Sequence, residues 1–162
     1  MKELSLLGAA TAMLAAEVAI NRNARKALER VATKVEKTAK SEFGAYQPAT
    51  GSFAAWEELA ESTQEERARL GYTPDDPLLR EGDLRDSISH EVADLVAVIG
   101  STSEIAEHHE FGTSKMPPRP FLGPAVERNK KAIIKELGGA VVDGLIGDDR
   151  IHFSLGYDSV VE

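Results

Sequence analysis

Residues 104–125, EIAEHHEFGTSKMPPRPFLGPA, combine a short helix, a glycine and a proline-rich arm. Ser101 and Glu104 have the S-x-x-E spacing of a capping box, which predicts that the helix begins at Ser101. Gly112 suits the left-handed position that ends a helix. The prolines after it hold φ at about −65° and disfavour helix in the residues before them, so they predict an extended arm. A new helix is expected near Pro124, since proline suits a first helical turn.

An apolar stripe at spacings of three and four predicts a long N-terminal helix over about 1–40. At 1.5 Å per residue such a helix is roughly 55 Å long, more than a domain of this size covers. Either part of it leans on another subunit, or it is an ordinary core helix with a frayed start. The uncharged stretch Leu4–Ala16 is too short to span a bilayer, and Glu3 spoils a basic leader, so a signal peptide is disfavoured.

The middle of the chain, about 41–85, predicts an insertion of helices and loops. We expect a short strand near Phe43, a helix around Trp56, and a second helix that ends at Gly71. Trp56 is the single tryptophan, and its default role is that of a core anchor.

Alternating apolar residues predict a β-hairpin over about 86–100 and a last strand over about 150–156, added to the hairpin edge. A helix over about Pro124–Leu145 completes a sheet-and-helix core over about 86–156. The predicted fold class is therefore α+β, with a small antiparallel sheet covered by helices on one face. We predict one domain spanning 1–162.

The composition excludes several classes of protein. With 162 residues, 42% apolar and 28% charged, the chain resembles an ordinary soluble globular protein. It has no cysteine, which excludes a disulfide framework and a cysteine zinc site. A formal net charge of −8 argues against a protein that binds nucleic acid by neutralising phosphates.

Residues suited to catalysis are few. No nucleotide-binding glycine loop and no serine-hydrolase motif is present, and the acidic pairs 75–76 and 148–149 lie in turn-like stretches. A small metal-dependent enzyme using His108, His109 and His152 is the alternative, but adjacent helical residues point about 100° apart and do not readily share one ion. We predict no catalytic residue, no metal and no cofactor. An adaptor that binds peptides at its sheet edge and an antitoxin-like regulator are further alternatives.

Three motifs occur in a fixed order: W-E-E-L at 56–59 with Thr63, L-L-R-E-G-D-L-R-D-S-I at 78–88, and H-H-E-F-G-T followed by P-P-R-P-F-L-G-P-A within 108–125. Together they resemble the virion morphogenesis proteins of tailed phages, the tail-completion or head–tail joining family that includes the Mu-like branch. The resemblance spans about 53–129.

This resemblance implies a non-enzymatic structural protein of the virion neck, assembled in the host cytoplasm, that completes the tail end and joins it to the head connector. A minor tail or tail-terminator component is the alternative. Such subunits form a ring, often of six copies, around the DNA channel. The implied partners are other copies of the chain, a head-side connector or adaptor, and a tail tube or tail terminator protein. DNA would pass without sequence-specific binding, and no membrane is involved.

A stiff arm loses little entropy on docking, so we expect it to insert against a neighbouring subunit. Arg119 is expected to pair with Glu110, because a planar guanidinium suits a carboxylate. Phe121→Ala is expected to weaken subunit association more than folding. The predicted interface consists of residues from the arm, the short helix before it and the N-terminal helix: Glu110, Phe111, Gly112, Arg119, Pro120, Phe121, Leu122, Leu28, Val31 and Val35.

Overall fold

The computed structural model describes residues 6–146. This part contains five helices and two strands, in the order α1 (Leu6–Ser41), α2 (Glu61–Arg69), α3 (Asp83–Asp86), β1 (Ile88–Ala93), β2 (Val96–Ser101), α4 (Ile105–Phe111) and α5 (Leu122–Ile146). The strands form a two-stranded sheet, which confirms the α+β class. The strand predicted over 150–156 lies outside the described residues. Among the described helices, none is both long and apolar enough to cross a membrane.

The chain divides into two compact units. Of the described residues, the first unit comprises 6–31, Val92–Val96 and 131–146, and the second comprises Ala32–Glu91 and Ala97–Lys130.

In the first unit, α1 and α5 form an antiparallel helix pair. A Cβ atom added to Gly144 would lie 2.6 Å from the Cα atom of Ile20, so the two helices come this close only because position 144 is glycine. Nearer the middle of the pair, Arg30 Nε donates to Glu136 Oε2 at 2.8 Å. Each helix also buries a small side chain in this unit, Ala27 on α1 and Ala140 on α5.

In the second unit, the later turns of α1 contribute fully buried residues, among them Ala32, Val35 and Ala39. The predicted apolar stripe of α1 is therefore core. The large buried side chains of this unit come from every part of it: Phe43, Trp56, Leu84, Ile88 and Phe121.

The predicted hairpin is confirmed, with its turn at Asp94 in a left-handed conformation (φ 52°). The predicted capping box is wrong. Ser101 is the last residue of β2, where its Oγ atom lies 2.7 Å from Ser87 Oγ. Helix α4 begins only at Ile105, and its N-cap residue Glu104 makes no side-chain capping bond. Ser101 therefore belongs to strand β2, whereas the local S-x-x-E pattern predicted that it would begin the helix.

The middle segment departs most from prediction. No strand forms near Phe43 and no helix around Trp56; residues 54–60 have no regular structure. Tertiary contacts explain the absence of a helix here. The Trp56 backbone N–H donates to Gln47 O at 3.0 Å, and the Trp56 indole is buried. Trp56 is a core anchor, as predicted. Helix α2 follows, and the chain turns at Gly71 with φ 82°.

Candidate functional site

The motif residues converge on a buried arm junction, which we define as Trp56, Glu110, Arg119 and Phe121. Its first polar member is Arg119, only 4% exposed at the centre of the extended arm. Its Nη2 atom donates to the carbonyl oxygens of Glu57 at 2.9 Å and Glu58 at 3.1 Å, and Nε donates to Glu57 O at 3.2 Å. The Arg119 backbone N–H donates to His109 O at 2.7 Å. Arg119 therefore ties the arm to residues 57–58 and to α4.

Glu110 has a different partner from the one predicted. Its carboxylate accepts the backbone N–H groups of Phe121 at 2.8 Å, Leu122 at 3.1 Å and Gly123 at 2.9 Å. These groups open α5, where the first N–H groups of a helix lack partners within the helix and a negative charge is favourable. The predicted Arg119–Glu110 pair is wrong, because backbone carbonyls satisfy the arginine and backbone amides satisfy the glutamate.

Aromatic packing closes the junction. Phe121 is fully buried, and its ring meets Phe43 edge-on with 5.1 Å between centroids. The Trp56 indole Nε1 donates to Pro120 O at 3.0 Å. A Cβ atom on Gly123 would lie 2.4 Å from the Phe53 ring, so the start of α5 needs glycine there. These contacts make the arm part of the core of its own unit.

The prediction of a free, docking arm is therefore not supported. Five of the predicted interface residues are buried in their own chain: Arg119, Pro120, Phe121, Val31 and Val35. Four others are half-buried: Glu110, Gly112, Leu122 and Leu28. Phe111 alone in that set is exposed, at 76%. The physical reason is that a stiff arm loses equally little entropy when it docks on its own chain.

Gly112 ends α4 with φ 74°, as expected, but with ψ 178° in place of a left-handed helical value. A side chain there would be strained, because this backbone region is accessible essentially to glycine alone. A Cβ atom would also lie 2.9 Å from Met116 O and from Pro118 N. Gly112 thus positions the arm relative to α4.

A second buried charge lies near the arm junction. Glu42 is 1% exposed, and its Oε1 accepts from Arg128 Nη1 at 2.6 Å. Its Oε2 has no hydrogen-bond partner among the described residues. Burial raises the pKa of Glu42 to about 7, and the charge of Glu110 adds to this rise, whereas Arg128 opposes it.

The profile of the phage virion morphogenesis family matches residues 5–141 of this chain. The chain belongs to this family. It is also similar to Mu-like prophage FluMu G protein 1 of Haemophilus influenzae, with 35% identity over 100 residues that cover 61% of this chain and 67% of the relative. No solved structure gives a significant match.

A role in phage virion assembly follows from membership of the virion morphogenesis family. The family match runs from the start of α1 into α5, so it includes both units and the whole arm junction.

The histidines that a metal-dependent enzyme would need are not brought together in the part of the chain described. His108 is exposed on α4, and His109 is half-buried beside it. Burial, and to a lesser extent the neighbouring Arg119 and His108, lowers the pKa of His109. His152 lies outside the described residues. Between residues 6 and 146, no three histidine, aspartate or glutamate side chains are placed to share a metal ion.

Sequence reasoning missed Glu42 and Arg128. A signal was available, because Glu42 continues the apolar stripe of α1 at the spacing Val35, Ala39, Glu42. A charged residue in register with a core stripe is expected to be buried and partnered.

Proposed function

We propose that this virion morphogenesis protein is a non-enzymatic structural subunit of the phage neck, which completes the tail end and joins it to the head connector. The observation that carries the proposal is the family match over residues 5–141, together with the Mu-like prophage relative.

The arm junction is compatible with this role. Its charged side chains form hydrogen bonds with the backbone of their own chain. Glu110 accepts from three N–H groups, and Arg119 donates to two carbonyl oxygens. Such a junction stiffens the subunit and holds its surfaces in fixed positions. A subunit that must fit neighbours repeatedly benefits from that rigidity, since less conformational entropy is lost on assembly.

The proposed partners are other copies of the chain, arranged as a ring that is often six-fold in such proteins, a head-side connector or adaptor protein, and a tail tube or terminator protein. DNA would pass through the ring. The net charge of −8 suits this passage, because an acidic subunit binds the phosphate backbone only weakly.

Deleting the gene from its phage or prophage and imaging the lysate by electron microscopy tests the proposal. We expect filled heads and finished tails that remain unjoined, and recovery of joined particles when the gene is supplied in trans. Tails of irregular length would instead indicate the tail-terminator alternative. Joined, infectious particles in the deletion strain would overturn the neck assignment.

A further inference from the structure

A surface groove with a volume of about 690 Å³ lies beside the arm junction, within the second unit. Its lining comes from three segments that are far apart in the sequence, within residues 57–67, 78–84 and 105–119. Each segment carries one of the three motifs described above, so the motifs meet at this surface as well as in the core. A volume of this size lies in the range of clefts that bind ligands in other proteins.

Folding explains only some of the motif residues that line the groove. Arg119 and Leu84 are buried, and each contributes to the interior of the unit. Glu57, Glu58 and Asp83 are exposed, and their carboxylates have no hydrogen-bond or ion-pair partner in the part of the chain described. These three carboxylates are therefore available to a ligand that enters the groove.

The arginines that line the groove are engaged with their own chain. Arg119 donates to two backbone carbonyls, and Arg67 donates to two others at 2.9 Å and 2.5 Å. The Arg80 guanidinium lies over the Tyr72 ring, 4.5 Å from its centroid. Among the lining cations of the described structure, Lys115 makes no such contact. The groove therefore offers a ligand more hydrogen-bond acceptors than donors.

Apolar side chains also line the groove. Ile105 is 50% exposed, and Leu59 and Met116 are half-buried. Lysine and arginine side chains combine an apolar stem with a charged end. They therefore suit a groove that offers both apolar surface and carboxylates.

Charge distinguishes between the possible occupants of the groove. Residues 147–162 of this chain contain four acidic side chains and one arginine, and a second copy of the chain carries a net charge of −8. Like charges disfavour both of these occupants at a groove with free carboxylates. A positively charged segment of a different protein is the complementary occupant.

We propose that this groove binds an extended segment of another virion protein, in which a lysine or arginine lies beside an apolar side chain. The cationic group binds the carboxylates of Glu57, Glu58 and Asp83, and the apolar side chain packs on Leu59 and Ile105. The proposal goes beyond the neck assignment and does not depend on it. It rests on the role in virion assembly that family membership gives.

Peptide binding to the full chain tests the chemistry of the groove. The probe is a short fluorescein-labelled peptide that alternates leucine with arginine, and its control alternates leucine with glutamate. By fluorescence anisotropy we expect saturable binding of the arginine peptide, and binding of the glutamate peptide that is weaker by at least roughly tenfold. Equal binding of the two peptides, or no binding of the arginine peptide, would overturn the proposal.

A matched pair of charge changes locates the binding in the groove. Glu58 and Glu65 are both exposed, but only Glu58 lines the groove. Glu58→Lys is expected to weaken binding of the arginine peptide roughly tenfold. Glu65→Lys changes the net charge equally and should weaken it by about twofold at most, because salt screens charges outside the contact. If Glu58→Lys lowers the melting temperature, Glu58→Gln supplies the comparison. Equal weakening by changes at the two positions would contradict the proposal.

Cross-linking identifies the natural occupant, and the absence of cysteine from the chain allows it to be done from a single site. Thr63→Cys places a thiol in the groove, and Ser62→Cys places one on the next exposed residue of α2, outside the lining. Each variant is labelled with benzophenone maleimide, illuminated in a lysate of cells that produce the phage, and analysed by mass spectrometry. From Thr63→Cys, and not from Ser62→Cys, we expect attachment to a virion protein beside a lysine or arginine.

Other occupants give other results. Attachment to residues 147–162, to a second copy of the chain, or to an acidic segment of another protein would overturn the proposal. Joined particles in the gene deletion would remove the neck assignment and leave the groove contact standing. Unjoined heads and tails, together with equal binding of the two peptides, would do the opposite.

Discussion

Arg119 and Glu110 show how individual charged residues are used in this protein. Each could have paired with the other, yet each binds backbone groups of a neighbouring segment. A guanidinium offers several donors and a carboxylate only accepts, so buried carbonyls and helix N–H groups are their natural complements. A hydrogen bond between a charged side chain and the backbone is stronger than one between two neutral groups, so breaking it costs more free energy. These two residues therefore constrain the position of the arm strongly.

Glu42 gives the residue-scale prediction. Burial raises its folded-state pKa to about 7 from an ordinary value of 4.5. A raised carboxyl pKa means that the folded state keeps the proton that the unfolded state releases, so the free energy of unfolding falls as pH rises from about 4.5 to 7. We expect Glu42→Gln, which cannot ionise, to gain about 3 kcal/mol relative to wild type between pH 4.5 and pH 8.

Urea unfolding of both proteins at the two pH values measures this change. Glu107→Gln, at an exposed residue of α4, is the control and should move in parallel with wild type. If Glu42→Gln also moves in parallel, the buried carboxyl is not the source of the pH dependence.

At the scale of elements, α5 is positioned by contacts at both of its ends. Glu110 binds the N–H groups that open the helix, and Gly144 allows its later turns to approach α1. The first contact lies in the second unit and the other lies in the first unit. Each contact depends on one residue whose size or charge is hard to replace.

The glycines of α5 give the element-scale prediction. Gly144→Ala would place a Cβ atom 2.6 Å from the Cα of Ile20, and we expect it to destabilise the helix pair by about 1–3 kcal/mol. Gly138→Ala meets no atom within 4 Å, so the gain in helix propensity should stabilise the protein by up to about 1 kcal/mol. Thermal unfolding followed by circular dichroism compares them, and a neutral Gly144→Ala would contradict the close approach.

At the scale of the whole molecule, apolar residues divide into those that the chain covers itself and those that it leaves exposed. Phe121 of the arm belongs to the first group, whereas Phe111 at the end of α4 and the N-terminal residues Leu7 and Leu14 of α1 belong to the second. A virion assembly protein needs both, because a stable fold and a surface for neighbours draw on different side chains.

Substitutions at a buried and an exposed phenylalanine are expected to affect folding and assembly separately, which gives the prediction at the scale of the whole molecule. Phe121 is fully buried, so Phe121→Ala should cost about 3–5 kcal/mol of unfolding free energy. Phe111 is 76% exposed, so Phe111→Ala should change stability by less than about 0.5 kcal/mol while lowering the yield of joined particles. Melting curves and particle counts from complementation measure the two effects. A Phe121→Ala protein that melts normally and fails only in assembly would restore the arm as an interface.

The long helix α1, the hairpin and α5 were predictable from the sequence, because each has a hydrophobic period sustained over its length and a clear turn or proline at its boundary. The motif order was also visible in the sequence, and the family that it resembles is the family shown. Trp56 was correctly predicted as core, since a lone tryptophan in an amphipathic segment is usually buried.

The partners of the arm were decided only by tertiary structure. No local pattern shows that Arg119 meets the carbonyl of Glu57, which lies 62 residues away, or that Ser101 is used by a strand instead of a helix. Stiffness and apolar character are the same in a residue that binds a neighbour and in one that fills its own core. Which of the two applies depends on whether the folded chain brings a complementary surface within reach, and the chain brings one to Phe121.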